Sequence, residues 1–137
     1  MAEINTNWCQ SVGGVVLRDG RVLLARHTYG AGKGRLIIPG GYVQTGESPE
    51  DALRREVYEE TGVRVEPRGI LGVRFNAKDW YVVFAADYAA GDARSDQDEN
   101  DLVAWLPVAE ALSSPDVPDL TKRLIARDVQ GTGMLTP

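Results

Sequence analysis

Apolar and polar positions along this chain mark out strands first and helices second. Residues 11–26, SVGGVVLRDGRVLLAR, form two apolar runs interrupted by Arg18-Asp19-Gly20-Arg21. An Asp-Gly pair between two such runs supplies the positive φ angles of a tight β-hairpin turn. Residues 63–65 begin an extended segment, residues 69–75 continue it as a strand, 76–79 turn the chain, and 80–86 return as a mostly apolar strand. Residues 102–106 make a further strand, stopped by Pro107. Helical spacing appears at Leu53 and Val57, and again at Leu120, Leu124 and Ile125 within residues 119–129, with residues 108–112 forming one helical turn. Between these lie a glycine-rich loop at 27–35, an acidic loop at 91–101, a connection with two prolines at 113–118 and a frayed tail at 130–137. Strands that surround one helix and end on another give an α+β or mixed α/β order, and the hairpins exclude a purely parallel sheet. No repeat or long linker divides the chain, so residues 1–137 are expected to form one domain.

The central helix carries its own start and stop signals. Ser48 is suited to the N-cap, Pro49 to the first helical position, and Asp51 to completing a capping box. Gly62 fits the left-handed position beyond the last turn. The helix should therefore run from about 49 to 60 or 61.

Composition narrows the function classes. A hydrophobic content of 43% with 26% charged residues argues against disorder, and a net charge of −5 argues against non-specific capture of nucleic acid, which needs clustered cations. Cys9 is the only cysteine, so no internal disulfide can form, and its plainest role is that of a small buried hydrophobe. No apolar run approaches a membrane span, and MAEINTNWCQ lacks the basic start and apolar stretch of a signal peptide, so no membrane association and a cytoplasmic location are expected.

The chemistry concentrates in GYVQTGESPEDALRREVYEETGV, residues 41–63. At 100° per residue, Glu56, Glu59 and Glu60 share about a quarter of the helix circumference. Like charges at that spacing oppose the helix by about 0.2–0.5 kcal/mol per pair unless a cation relieves them. Mg²⁺ or Mn²⁺ takes such oxygen ligands, whereas zinc prefers the His and Cys that are nearly absent here. Arg55 could orient a carboxylate or reach a phosphate; on the carboxylates alone, a solvated acidic helix explains the pattern equally well.

The order of residues separates these readings. Gly41, five residues, Glu47, seven residues, then Arg55-Glu56-Val57-Tyr58-Glu59-Glu60-Thr61-Gly62-Val63 matches every fixed position of GX5EX7REUXEEXGU, where U is bulky and aliphatic. The chain thus resembles the Nudix hydrolase family, and the flanking Pro39-Gly40-Gly41 and Trp105-Leu106-Pro107 extend the resemblance over most of its length. The resemblance implies an α/β/α sandwich around a mixed sheet. It also implies metal binding by Glu56, Glu59, Glu60 and the Gly41 carbonyl, with Arg55 orienting the carboxylates and Glu47 supporting Arg55. The implied reaction is hydrolysis of a nucleoside diphosphate linked to a group X, the implied cofactor is Mg²⁺ or Mn²⁺, and homodimers are common among relatives. The base in such enzymes is either a box glutamate or an acid from a later loop; Glu99 is the candidate for the latter, and a solvated loop charge is the alternative.

Outside the box the candidates are less specific. Lys33 and Arg35, among Gly30, Gly32 and Gly34, could cradle phosphate, although a solvent-facing linker is the plainer reading. Arg74, Phe75 and Trp80 could bind or stack on a nucleobase, although buried aromatic packing is the commoner fate. Leu36 stands where many relatives carry a Trp three residues before Pro-Gly-Gly. The rival reading, from another class, is a catalytically silent module that binds a nucleotide or protein partner.

Overall fold

The computed structural model describes residues 9–131. The first hairpin forms as expected at its turn, where Asp19 and Gly20 take φ of 50° and 76°. Its strands, β1 (Cys9–Arg18) and β2 (Arg21–His27), pair only through Leu17↔Val22 and Arg18↔Arg21 and then diverge. The wedge between them is filled by β3 (Leu36–Ile37), which pairs with β2, and β4 (Gly40–Tyr42), which pairs with β1 through Ser11↔Tyr42 and Gly13↔Gly40. Gly40 has no room for a side chain, because a Cβ there would run into the Val12 carbonyl. The divergence of β1 and β2 thus brings the start of the box into the middle of the sheet.

The other edge of β1 runs parallel to β6 (Asp79–Ala90), from Cys9↔Asp79 to Leu17↔Asp87. Strand β5 (Arg64–Phe75) pairs antiparallel with β6, and β7 (Asn100–Pro107) pairs antiparallel with β2. The sheet is therefore mixed, as the hairpins required. The two segments expected at 63–65 and 69–75 join into one strand, with irregularities at Pro67/Gly69 and Ile70/Gly72. An outer strand tolerates a proline because its free edge needs no ladder donor.

Helix α1 (Pro49–Thr61) covers one face, its Leu53 and Val57 packing with Val12, Val16, Leu23 and Phe84. Helices α2 (Val108–Ser113) and α3 (Asp119–Gln130) cover the other, where Ala111, Leu124 and Ile125 meet Val15, Val22, Leu24 and Val83. Full burial stabilises side chains such as Leu53 and Val57 by about 1.5–3 kcal/mol each. This is an α/β/α sandwich. Two expectations change. Cys9 is exposed at the end of β1 and is not a core residue. The capping box forms by half: Ser48 Oγ accepts from the Asp51 N–H at 3.1 Å, while the Asp51 carboxylate accepts from Arg54 at 2.7 Å, its stem being a methylene shorter than the Glu such a box normally uses. Most of the tail read as frayed, 132–137, lies outside the described residues. Among the described residues, no helix is long and apolar enough to cross a membrane.

Candidate functional site

Gly62 ends α1 in the left-handed conformation, φ 77°, with its N–H donating to the Tyr58 carbonyl at 2.9 Å. A side chain there would also crowd Arg94 and the Asp92 carbonyl, each 2.9 Å from a Cβ. The absence of one lets the acidic loop lie against the end of α1. That loop is fastened by buried Asn100. Its amide donates to the Glu60 carbonyl at 3.0 Å, and its Oδ1 accepts from Ser95 Oγ at 2.6 Å and the Asp96 N–H at 3.2 Å. Thr28 closes the other side, donating through Oγ1 to the Asp98 carbonyl at 2.6 Å and through its N–H to the Glu99 carbonyl at 3.0 Å.

The result is a cavity of about 550 Å³ whose walls include Glu56, Glu59 and Glu60 from α1, Gly40 and Gly41 from β4, and Glu99 from the loop. Asp96, Asp98, His27, Tyr29 and Tyr42 also line it. Glu60 is buried and accepts a hydrogen bond from the Gly40 N–H at 3.0 Å. Burial, reinforced by Glu56, Glu99 and Asp96, pushes its carboxyl up to about 8 against the pull of that bond. Glu56 is also raised by burial, with Arg55 opposing the shift. Burial lowers the His27 imidazole against the pull of Glu99 and Asp96, favouring its neutral form. Its ring lies nearly parallel to that of Tyr29, centroids 6.0 Å apart.

Arg55 organises the rim. It grips Glu47 with two bonds of 2.8 and 3.0 Å, reaches Glu56 at 2.9 Å and Glu59 at 3.3 Å, and donates to the Tyr42 carbonyl at 2.9 Å. The hydrogen bond to Glu47 leads the causes that raise the guanidinium pKa, and the same bond lowers Glu47. Glu47 also accepts from the Gln44 N–H at 3.0 Å, tying the loop before α1 to the same pair.

Among the described residues, no three acidic, histidine or cysteine side chains converge into a ready cage for a metal ion. Arg55 holds Glu56 and Glu59 in charge-assisted bonds. The donor set still fits a hard divalent cation. It is wholly oxygen, it lines one cavity, and Gly41 leaves open the space beside the Glu56 carboxylate that a Cβ would fill.

The other candidates lie elsewhere. Arg35 donates to the Asp116 carbonyl at 3.2 Å and is outside the cavity. Phe75 is 71% exposed at the end of β5, and Trp80 packs toward the α1 face. Arg74 pairs with Asp79 at 3.4 Å and lines a separate apolar recess with Leu120 and Leu124. None of these three aromatic-hairpin residues reaches the acidic cavity. Reasoning from the sequence missed His27, Tyr29, Tyr42, Asp96 and Asn100. Tyr42 is adjacent to Gly41 and Asn100 to Glu99, so these two stood beside recognised positions.

Together these features define an α/β/α sandwich with a carboxylate-lined cavity at the C-terminal end of its central helix. The family model for the NUDIX domain matches residues 8–127, and the chain belongs to the Nudix family. It is 41% identical over 99 residues to a MutT-like protein of Streptomyces ambofaciens, covering 70% of this chain and 62% of that one. It is 34% identical over 121 residues to the NAD-capped RNA hydrolase NudC of Actinobacillus succinogenes, covering 80% and 43% respectively. The chain spans about half the length of these curated relatives. Among solved structures, a NUDIX hydrolase from Nitrosomonas europaea has the same fold, with a TM-score of 0.80 at 22% identity over 98% of this chain and 77% of that one.

Proposed function

We propose that this domain, residues 1–137, is a metal-dependent pyrophosphohydrolase of nucleoside diphosphates linked to a group X, such as a nucleoside triphosphate, an ADP-ribose-like sugar or a dinucleotide. The observation that carries the reading is buried Glu60 beside Glu56, Glu59 and Gly41 in one acidic cavity. Glu56, Glu59, Glu60 and the Gly41 carbonyl would hold Mg²⁺ or Mn²⁺. When bound, that cation would polarise a phosphoryl oxygen and neutralise charge as it develops. Arg55 orients Glu56 and Glu59, and Glu47 braces Arg55. Glu99, which lines the same cavity, accepts the proton of the water that attacks phosphorus. The anhydride P–O bond breaks as the new one forms, leaving a nucleoside monophosphate and the phosphate of X. The reading includes a reducing cytoplasmic setting, suited to a lone exposed thiol, and a homodimer, which light scattering would check.

A panel of nucleotide diphosphates with Mg²⁺ or Mn²⁺, followed by phosphate or nucleotide release, tests the proposal. Glu60→Gln and Glu99→Gln should each slow turnover, the latter by about 10²–10⁴-fold if it removes the general base. Absence of metal-dependent turnover on every substrate would leave the silent binding module; turnover undiminished in Glu60→Gln would remove the metal role of that residue.

A further inference from the structure

Strand β5 ends the strand order β3-β2-β1-β6-β5, so its outer edge has no neighbour among the described residues. An open edge offers its N–H and C=O groups to any passing strand unless something blunts it. The first half of β5 is blunted by Pro67 and by breaks in register between Arg64 and Val65, Pro67 and Gly69, and Ile70 and Gly72. The second half is not. From Gly72 to Phe75 the ladder with β6 is regular. Val73 and Phe75, opposite Val82 and Trp80, belong to the α1 face and are 47% and 71% exposed. Gly72 and Arg74, opposite Val83 and Tyr81, belong to the other face. There they help to line a recess of about 140 Å³ with Tyr81, Val83, and Leu120 and Leu124 of α3. A Cβ on Gly72 would stand 3.4 Å from Leu124 Cδ2, so the missing side chain is part of the opening. The surroundings are basic, against a net charge of −5 for the whole chain. Helix α3 carries Lys122, Arg123 and Arg127 against Asp119 and Asp128, and Asp128 is already held by Arg68. Arg123 is exposed one turn from Leu120 and makes no ion pair among the described residues.

We propose that the edge from Gly72 to Phe75 is a docking site for an extended acidic segment of a partner protein, which adds a strand to β5. One apolar side chain of that segment enters the recess, its neighbours lie on Val73 and Phe75, and flanking Asp or Glu residues meet Arg74 and Arg123. A strand suits this edge because successive side chains point to opposite faces, and apolar surface is uncovered on both. Main-chain bonds to the free edge supply affinity, while the recess and the two cations supply specificity. A second copy of this chain is the poorer occupant, since two-fold pairing of the same edges sets one basic rim against the other.

The test is selection from a random heptapeptide display library on the wild type, with depletion on Leu120→Asp, followed by fluorescence anisotropy of the enriched peptides. These should carry apolar residues at alternate positions with Asp or Glu beside them. They should bind Leu120→Asp about tenfold more weakly than the wild type, and Arg123→Glu several-fold more weakly. Both positions are exposed, so the thermal midpoints should stay close to that of the wild type; if Leu120→Asp folds poorly, Arg123→Glu replaces it in the depletion step. Amide exchange in residues 72–75 should slow when the peptide binds, as new ladder bonds form. No enrichment over the depleting variant, enriched peptides that are basic or lack the alternation, undiminished binding to Arg123→Glu, or unchanged exchange in 72–75 would each overturn the proposal. A dimer in light scattering that either substitution dissociates would also overturn it, by giving the edge to a second copy.

Discussion

The acidic cavity and an adjoining recess that holds Tyr81 meet at Gly40, Gly41 and Tyr42 but are built on different principles. In the first, the three box carboxylates come from five consecutive residues of one helix, and the charge of Glu56 and Glu59 is managed by a single cation, Arg55, with Glu47 behind it. In the second, Ser11, His27, Ile38, Tyr42 and Tyr81 arrive from five separate segments and carry no net charge. Short-range ionic chemistry needs groups at fixed small separations, which one helix turn supplies. A recess defined by shape needs walls, which strand pairing supplies. Perturbation should therefore be severe and pH-dependent on the acidic side and mild on the other.

The largest contrast is expected with pH. The Glu60 carboxyl is raised in the folded protein from the usual 4.5 to about 8. Its contribution to stability in the absence of metal is thus fully present below pH 4.5 and is lost as pH rises toward 8, beyond which it is flat. The slope attributable to one such group approaches about 1.4 kcal/mol per pH unit. Denaturant unfolding across this range should show that slope in the wild type and its loss in Glu60→Gln; parallel curves would show that Glu60 is not held protonated.

Next in size is Arg55→Ala, which strands Glu47 and Glu56 without their partner. Because the three side chains are only partly screened from water, a loss of about 3 kcal/mol, the lower end for stranding buried charge, is expected in the same measurement. Asn100→Ala should cost about 1–3 kcal/mol by leaving the buried Glu60 carbonyl and its loop partners unpaired. It should also raise hydrogen exchange in residues 95–100 before it does so in β1. The smallest effect belongs to Cys9→Ser, within about 0.5 kcal/mol, because the thiol is exposed; a larger loss would mean that Cys9 is covered in solution.

Much of the architecture could be read from the chain itself, because its signals are local. Ser48, Pro49 and Gly62 act on backbone groups within a turn of themselves, so α1 begins at Pro49 and ends at Thr61, as expected. Asp19-Gly20 acts on its own two peptides, so the first turn is also as expected. The same locality explains the grouping of Glu56, Glu59 and Glu60 on one wall. The chain was less legible where a residue's place depends on distant partners. Arg35 is held by the Asp116 carbonyl, and the β5–β6 register sets Arg74, Phe75 and Trp80 outside the acidic cavity.

From its sequence alone this chain determines an α+β or mixed α/β order and the acidic helix at its centre, since caps, periodicity and carboxylate spacing operate over a few residues. Only the tertiary structure decides what faces that helix. The splaying of β1 from β2 admits β4, Asn100 fastens the acidic loop over Glu60, and the parallel pairing of β6 with β1 sets Tyr81 above Gly13. These juxtapositions join residues as far as 70 positions apart, as in Cys9 and Asp79 across the β1–β6 ladder. Contacts of that range are set by register and packing, which no local pattern in the chain records.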